Sequence, residues 1–100
     1  MRLGKVIGRV TLSVAAPTLK GARWLIVNPY SRANYQHGTE PPAALSAEPS
    51  LIVYDSLGGG LGDAIGFIEG REAAMPFEQP TPIDAISAAL IDNVSYKPLS

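Results

Sequence analysis

The densest concentration of residues that could do chemistry is Asp55-Ser-Leu-Gly-Gly-Gly-Leu-Gly-Asp63. A glycine run after a strand can cradle phosphate in backbone N–H groups. The phosphate loop that does so ends in Gly-Lys-Ser/Thr, because the lysine reaches the β- and γ-phosphates and the hydroxyl holds magnesium. Here Gly62 is followed by Asp63, which repels phosphate. The dinucleotide fingerprint Gly-x-Gly-x-x-Gly fails as well. Counted from Gly58 and Gly60, its third glycine position holds Asp63; counted from Gly60 and Gly62, it holds Ile65. The run joins two strand-like segments instead of opening a helix, so it reads as a tight turn between strands.

Asp55 and Asp63 flank this turn and resemble a general acid and base on paper. Aspartates at strand ends accept backbone hydrogen bonds, and that structural role is the reading we take. His37 is the only histidine and lies in a polar segment between Gln36 and Gly38; no partner is positioned to make it a nucleophile's base. With one histidine and no cysteine, a transition-metal site has too few ligands. The expectation is therefore no catalytic residue, no metal and no cofactor.

Charge narrows the partners. Eight basic and nine acidic residues give a formal charge of −1, which offers no electrostatic footprint for nucleic acid or anionic lipid. The densest basic stretch, Arg2, Lys5 and Arg9, reads as a solvated strand face. Trp24 and Phe67 sit in apolar runs and read as core, whereas Tyr30 and Tyr35 have no clustered cations around them. An oligonucleotide-binding barrel, which stacks bases on aromatics in a basic groove, is the alternative function; a small-molecule-binding or enzymatic domain is the third. No apolar run approaches the roughly 20 residues of a membrane helix, and the N-terminus lacks a signal-peptide pattern. The expectation is no membrane and a cytoplasmic location. At 17% charged and 46% hydrophobic, the chain has less charge than the roughly 25% usual for soluble domains, which points to oligomerisation.

The elements that position these residues follow from periodicity. Val6 to Val14 alternates, with Val6, Gly8, Val10, Leu12 and Val14 on one face, and reads as a half-buried strand. Pro17, Lys20 and Gly21 mark a turn before Trp24-Leu-Ile-Val27, so the two runs read as a hairpin ended by Asn28-Pro29. Residues 30–50 hold three prolines and Gly38 and read as a long irregular connection, of the length usually reserved for function or for packing on a partner. Leu51 to Tyr54 and Ala64 to Ile68 read as further strands. Thr81 as cap, Pro82 at the first helical position and Asp84 predict a short helix through about Ala89, although Leu90-Ile91 with Val94 and Tyr96 could equally open a fifth strand. One domain over 1–100 is expected, mainly β: a small five-stranded barrel of oligonucleotide-binding-like shape with one short helix in the C-terminal region.

The order of features carries a resemblance. Met1-Arg-Leu-Gly-Lys-Val-Ile-Gly-Arg-Val10, Leu19-Lys-Gly21 with Trp24-Leu-Ile-Val27 and Asn28-Pro-Tyr30, Val53 to Asp63, and Pro82-Ile-Asp-Ala-Ile86 with Leu90-Ile-Asp92 resemble the bacterial microcompartment vertex protein family of EutN/CcmL type. The resemblance implies a homopentamer that caps the five-fold vertices of a protein shell in the cytoplasm. It also implies packing against hexameric or trimeric shell proteins and no catalysis. It further implies that the turn Ser56, Leu57, Gly58, Gly59, Gly60, Leu61, Gly62 lies near the five-fold axis, where five copies of one loop converge and side chains would collide. Asp63 stands where the family usually has glutamate, at a position of inter-subunit contact, and Ala64-Ile65 replaces a segment in which tryptophan is common.

Overall fold

The alternating segments form strands whose apolar faces meet in a barrel. The computed structural model describes residues 1–11, 23–45, 49–77 and 83–94. Its strands are β1 (Arg2–Val10), β2 (Arg23–Pro29), β3 (Leu51–Asp55), β4 (Ala64–Glu69) and β5 (Ala85–Ile91). They close in the order β1-β2-β3-β5-β4, with β4 returning to β1. Every neighbouring pair is antiparallel except β3 and β5, which run parallel and meet at Tyr54 and Ile86. The expected mainly-β, five-stranded barrel is what forms.

Inside lie Val6, Leu25, Val27, Val53, Ile65, Phe67 and Ala85, with Leu51 packed against them. On β2 the period of two sends Leu25 and Val27 inward and Trp24 and Ile26 outward. Trp24 is nonetheless buried. Its cross-strand neighbour Tyr54 meets it edge to face at 5.6 Å between ring centroids, and Phe77 in turn covers Tyr54 at 5.0 Å. A chain this short has little interior, so this aromatic layer on the outer face adds apolar burial that the barrel cannot hold.

Three expectations are corrected. First, β1 starts at Arg2, and an irregularity between Val6 and Gly8 breaks the alternation: Val6 faces Val27, Gly8 faces Ile26, Arg9 faces Leu25 and Val10 faces Trp24. One extra residue in a strand reverses its parity, so Gly8 and Val10 leave the face of Val6. Arg9 moves to the inward side at the mouth of the barrel, beyond the packed interior, and stays exposed. Leu12, Val14 and the hairpin turn fall outside the described residues.

Second, the helix expected up to Ala89 is strand β5, paired with β4 from Ala85 opposite Glu69 to Ile91 opposite Ala64. Thr81 and Pro82 lie outside the described residues. The barrel needs a fifth strand between β3 and β4, and that tertiary demand overrides the helix preference of its alanines. The short helical elements stand elsewhere: a 3-10 helix at Gly70–Ala74 after β4, and an α-helix after β2.

Third, the connection after β2 is not irregular throughout. It contains helix α1 (Arg32–His37), capped reciprocally by Ser31 and Asn34 and ended by Gly38 at φ 62°. Substituting Phe67 by alanine is expected to lower the unfolding free energy by about 3–5 kcal/mol, measured by urea denaturation at fixed protein concentration.

Candidate functional site: the glycine turn and its surroundings

The turn between β3 and β4 is built around a carboxylate. Asp55 ends β3 with its side chain fully buried. Its Oδ1 accepts the N–H of Leu57 at 3.2 Å; its Oδ2 accepts those of Gly58 at 3.1 Å and Gly59 at 2.9 Å. The Arg23 guanidinium stands 3.5 Å away and also donates to the Gly59 carbonyl at 2.8 Å. A buried carboxylate is tolerable only when its lone pairs and charge are met in this way. At the other end of the turn, Asp63 Oδ2 accepts the Gly60 N–H at 2.8 Å. The turn is also tied to β1, since Gly62 donates to the Val6 carbonyl and Val6 to that of Asp63, both at 2.9 Å. Both aspartates therefore serve the backbone, as expected from their positions.

The glycines have separable reasons. Gly58 and Gly62 adopt φ of 87° and 86°, a region that side-chain-bearing residues avoid. Gly59 is buried, and a Cβ there would come within 3.2 Å of Leu25. Gly60 differs from these three. Its φ is not positive, and the nearest atom to an added Cβ is an Asp63 carboxylate oxygen at 3.6 Å, an ordinary contact. Nothing within the described chain demands glycine at position 60. Ser56, Leu57 and Leu61 point to solvent, Leu61 with 76% of its surface exposed, and Leu90 of β5 is exposed near Gly59. A rigid, glycine-rich tab with leucines on it is thus presented at the barrel mouth.

The long connection is anchored too, which composition alone does not reveal. Asn28, 4% exposed, donates to the carbonyls of Pro42 at 2.7 Å and Ala44 at 3.1 Å and accepts from Ser50. Lys5 pairs with Glu40. Tyr30 and Tyr35 stack at 5.6 Å. Burial, followed by the nearby Glu40 carboxylate, raises the Tyr30 pKa, so this phenol is neutral at neutral pH. His37 is exposed at the end of α1. Among the described residues no group of three His, Asp or Glu side chains could hold a metal ion, and no helix is long and apolar enough to cross a membrane.

The profile of the family described as ethanolamine utilisation protein EutN/carboxysome matches residues 1–92. The chain belongs to this EutN/CcmL family. Solved relatives agree. The GrpN pentameric microcompartment shell protein from Rhodospirillum rubrum is 26% identical, with TM-score 0.74 over 98% of this chain and 100% of that one. CcmL of Gloeobacter violaceus is also 26% identical, with TM-score 0.77 over 95% and 89%. EutN from Escherichia coli, at 21% identity and TM-score 0.72 over 95% and 89%, shares the fold. No curated protein matches the sequence. Within this EutN/CcmL barrel, Asp55→Asn is expected to lower stability by about 2–3 kcal/mol, seen as a shifted urea midpoint, because a neutral amide replaces an acceptor that holds three N–H groups.

Proposed function

We propose that the chain is a structural, non-catalytic shell protein that works without a cofactor. It assembles as a cyclic homopentamer, closes the five-fold vertices of a bacterial microcompartment in the cytoplasm, and packs its rim against hexameric or trimeric facet proteins. The observation that carries this reading is family membership over residues 1–92 together with a 26%-identical pentameric shell relative spanning nearly the full chain. In this reading the turn from Ser56 to Gly62 faces the five-fold axis. Gly60 supports that placement: its smallness has no cause inside the described subunit, whereas five converging copies of the loop would supply one.

The physics of a ring suits the composition. Head-to-tail contacts need two different patches on each subunit. At a standard size of about 800 Å² per side, both contacts together would cover about a quarter of the 6828 Å² surface. Low charge and exposed leucines are the expected character of such surfaces. Asp63 has one carboxylate oxygen committed to its own turn, so its reach to a neighbour is shorter than a glutamate's.

Native mass spectrometry is expected to give five subunits. A stable monomer that binds single-stranded oligonucleotide with steep salt dependence would instead establish the oligonucleotide-binding alternative. Gly60→Val is expected to abolish the ring while the barrel keeps its far-ultraviolet spectrum; a normal pentamer from this variant would remove the turn from the axis. Because the chain has no cysteine, Leu61→Cys gives an independent check. Oxidation should link the same position in two chains, forming two disulfide pairs per ring and leaving one chain unpaired. A turn remote from the axis would give no such product.

A further inference from the structure

A strand that faces water on one side alternates apolar and polar residues, whereas a strand covered on both sides reads as a continuous apolar run. β1 carries Arg2, Lys5 and Arg9. β2, β3 and β5 have no charge between their ends and follow the second pattern. Leu25, Val27 and Val53 fill the interior, so Trp24, Ile26, Ile52 and Tyr54 form an uncharged outer face on β2 and β3, where Trp24 opposes Tyr54 and Ile26 opposes Ile52. Trp24 is buried and Phe77 covers Tyr54. Ile52, however, is 46% exposed beside the half-buried Ile26, so within the subunit this face is only half covered.

A second uncharged face lies on β5. A register shift leaves Ala88 without a partner on β4, between Ser87 opposite Phe67 and Ala89 opposite Gly66. Ala88 is exposed, Ala89 half-buried and Leu90 49% exposed. The side chain of Met1 lies over Gly66 and is itself exposed.

The two faces share no strand. In the closed order β1-β2-β3-β5-β4, the seam of β2 with β3 and the seam of β5 with β4 are as far apart as two seams of a five-strand ring can be. A head-to-tail ring needs two different patches on separate sides of each subunit, whereas a self-pairing contact needs one. The faces also differ in relief: the first presents branched side chains, and the second presents alanines and a glycine under a flexible methionine that can move aside. Neither offers a charge to a charged partner. At about 4.8 Å between strands, each is about 10–15 Å across, the span of the apolar centre of a contact that covers about 800 Å² per side within a polar rim. We propose that the face carrying Ile26 and Ile52 packs on the stretch 88–90 of β5 in the next copy of this chain. This inference rests on the ring reading above, and it assigns the contact between subunits to the sides of the barrel, apart from the glycine turn.

The test uses the absence of cysteine from the chain. Ile52→Cys combined with Ala88→Cys, or with Ala89→Cys, should on oxidation give chains linked in series, up to a covalent pentamer under denaturing conditions. Each single variant should give no linked species, because position 52 of one copy meets a different position of the next. Linking by Ile52→Cys alone would show a self-pairing face and overturn the proposal. A second measurement does not depend on disulfide geometry. Ile52→Asp, at a half-exposed position, should keep the circular dichroism of the unaltered barrel and raise the concentration at which rings dissociate by about tenfold or more, read by native mass spectrometry over a dilution series. No link from either cysteine pair, or Ile52→Asp rings that dissociate like the unaltered ones, would overturn the assignment of the faces. An unaltered chain that forms no pentamer would instead overturn the ring reading itself.

Discussion

The Asp55 carboxylate is the interaction on which the rest of the barrel mouth depends. Three backbone N–H groups and one guanidinium converge on a side chain that has no access to water. Without it, the first half of the glycine turn would have to find solvent or another acceptor for each of those donors. With it, the chain reverses within a few residues, Gly59 seats near Leu25, Ile65 and Leu90, and the mouth is closed by backbone. Glycine flexibility is thereby converted into a fixed shape. A tab that makes contact in a symmetric assembly benefits from that fixity, because ordering it on contact would be repeated in every subunit.

Much of this is legible in the sequence, for physical reasons that differ by element. β2, β3 and β4 are readable because β-branched and aromatic residues cluster between proline and glycine punctuation. The glycine turn is readable as a turn, and its two aspartates as turn supports. The bulge in β1 is not readable, since one surplus residue leaves no mark in composition while it inverts every side chain that follows. β5 reads wrongly because Thr81, Pro82 and Asp84 match a helix start, and the alanines after them suit a helix as well. Only closure of the barrel decides for a strand there. Helix α1 does carry local signals: Ser31 with Asn34 three residues on, and Gly38 as a left-handed stop. They are obscured because none of its six residues is buried, so it has no apolar period to detect.

The candidate site divides in the same way. The turn from Ser56 to Gly62 can be named from sequence, and the distinct standing of Gly60 needs the backbone angles of its neighbours. The role of Asn28 cannot be read, because a buried asparagine that ties three separate points of a distant segment looks like any strand-ending asparagine. The 30–50 connection looks loose by composition and is held by that one side chain and by Lys5. Low overall charge, the sequence feature from which oligomerisation is expected, takes a more specific form in the structure. Several of the charges that do exist are paired within the subunit, Arg2 with Glu69, Lys5 with Glu40 and Arg23 with Asp55, while Arg9, Arg32, Arg71, Glu72, Asp84 and Asp92 stand exposed with no ion pair among the described residues.

The parallel meeting of β3 and β5 has a consequence for how the molecule comes into being. β1 with β2, β2 with β3, and β4 with β5 are joined by near neighbours in the chain, whereas β1 must find β4 across some sixty residues and β3 must find β5 across some thirty. Long loops are closed late and slowly, since their entropy is lost before any contact rewards it. The two sub-sheets can therefore form early, and the cylinder shuts last. The glycine tab bridges those two sub-sheets, and its ties to Val6 on one side and Asp55 on the other exist together only in the shut cylinder. A nascent chain thus lacks the finished tab until the cylinder has shut, so in the proposed ring only a completely folded subunit could present it to a neighbour.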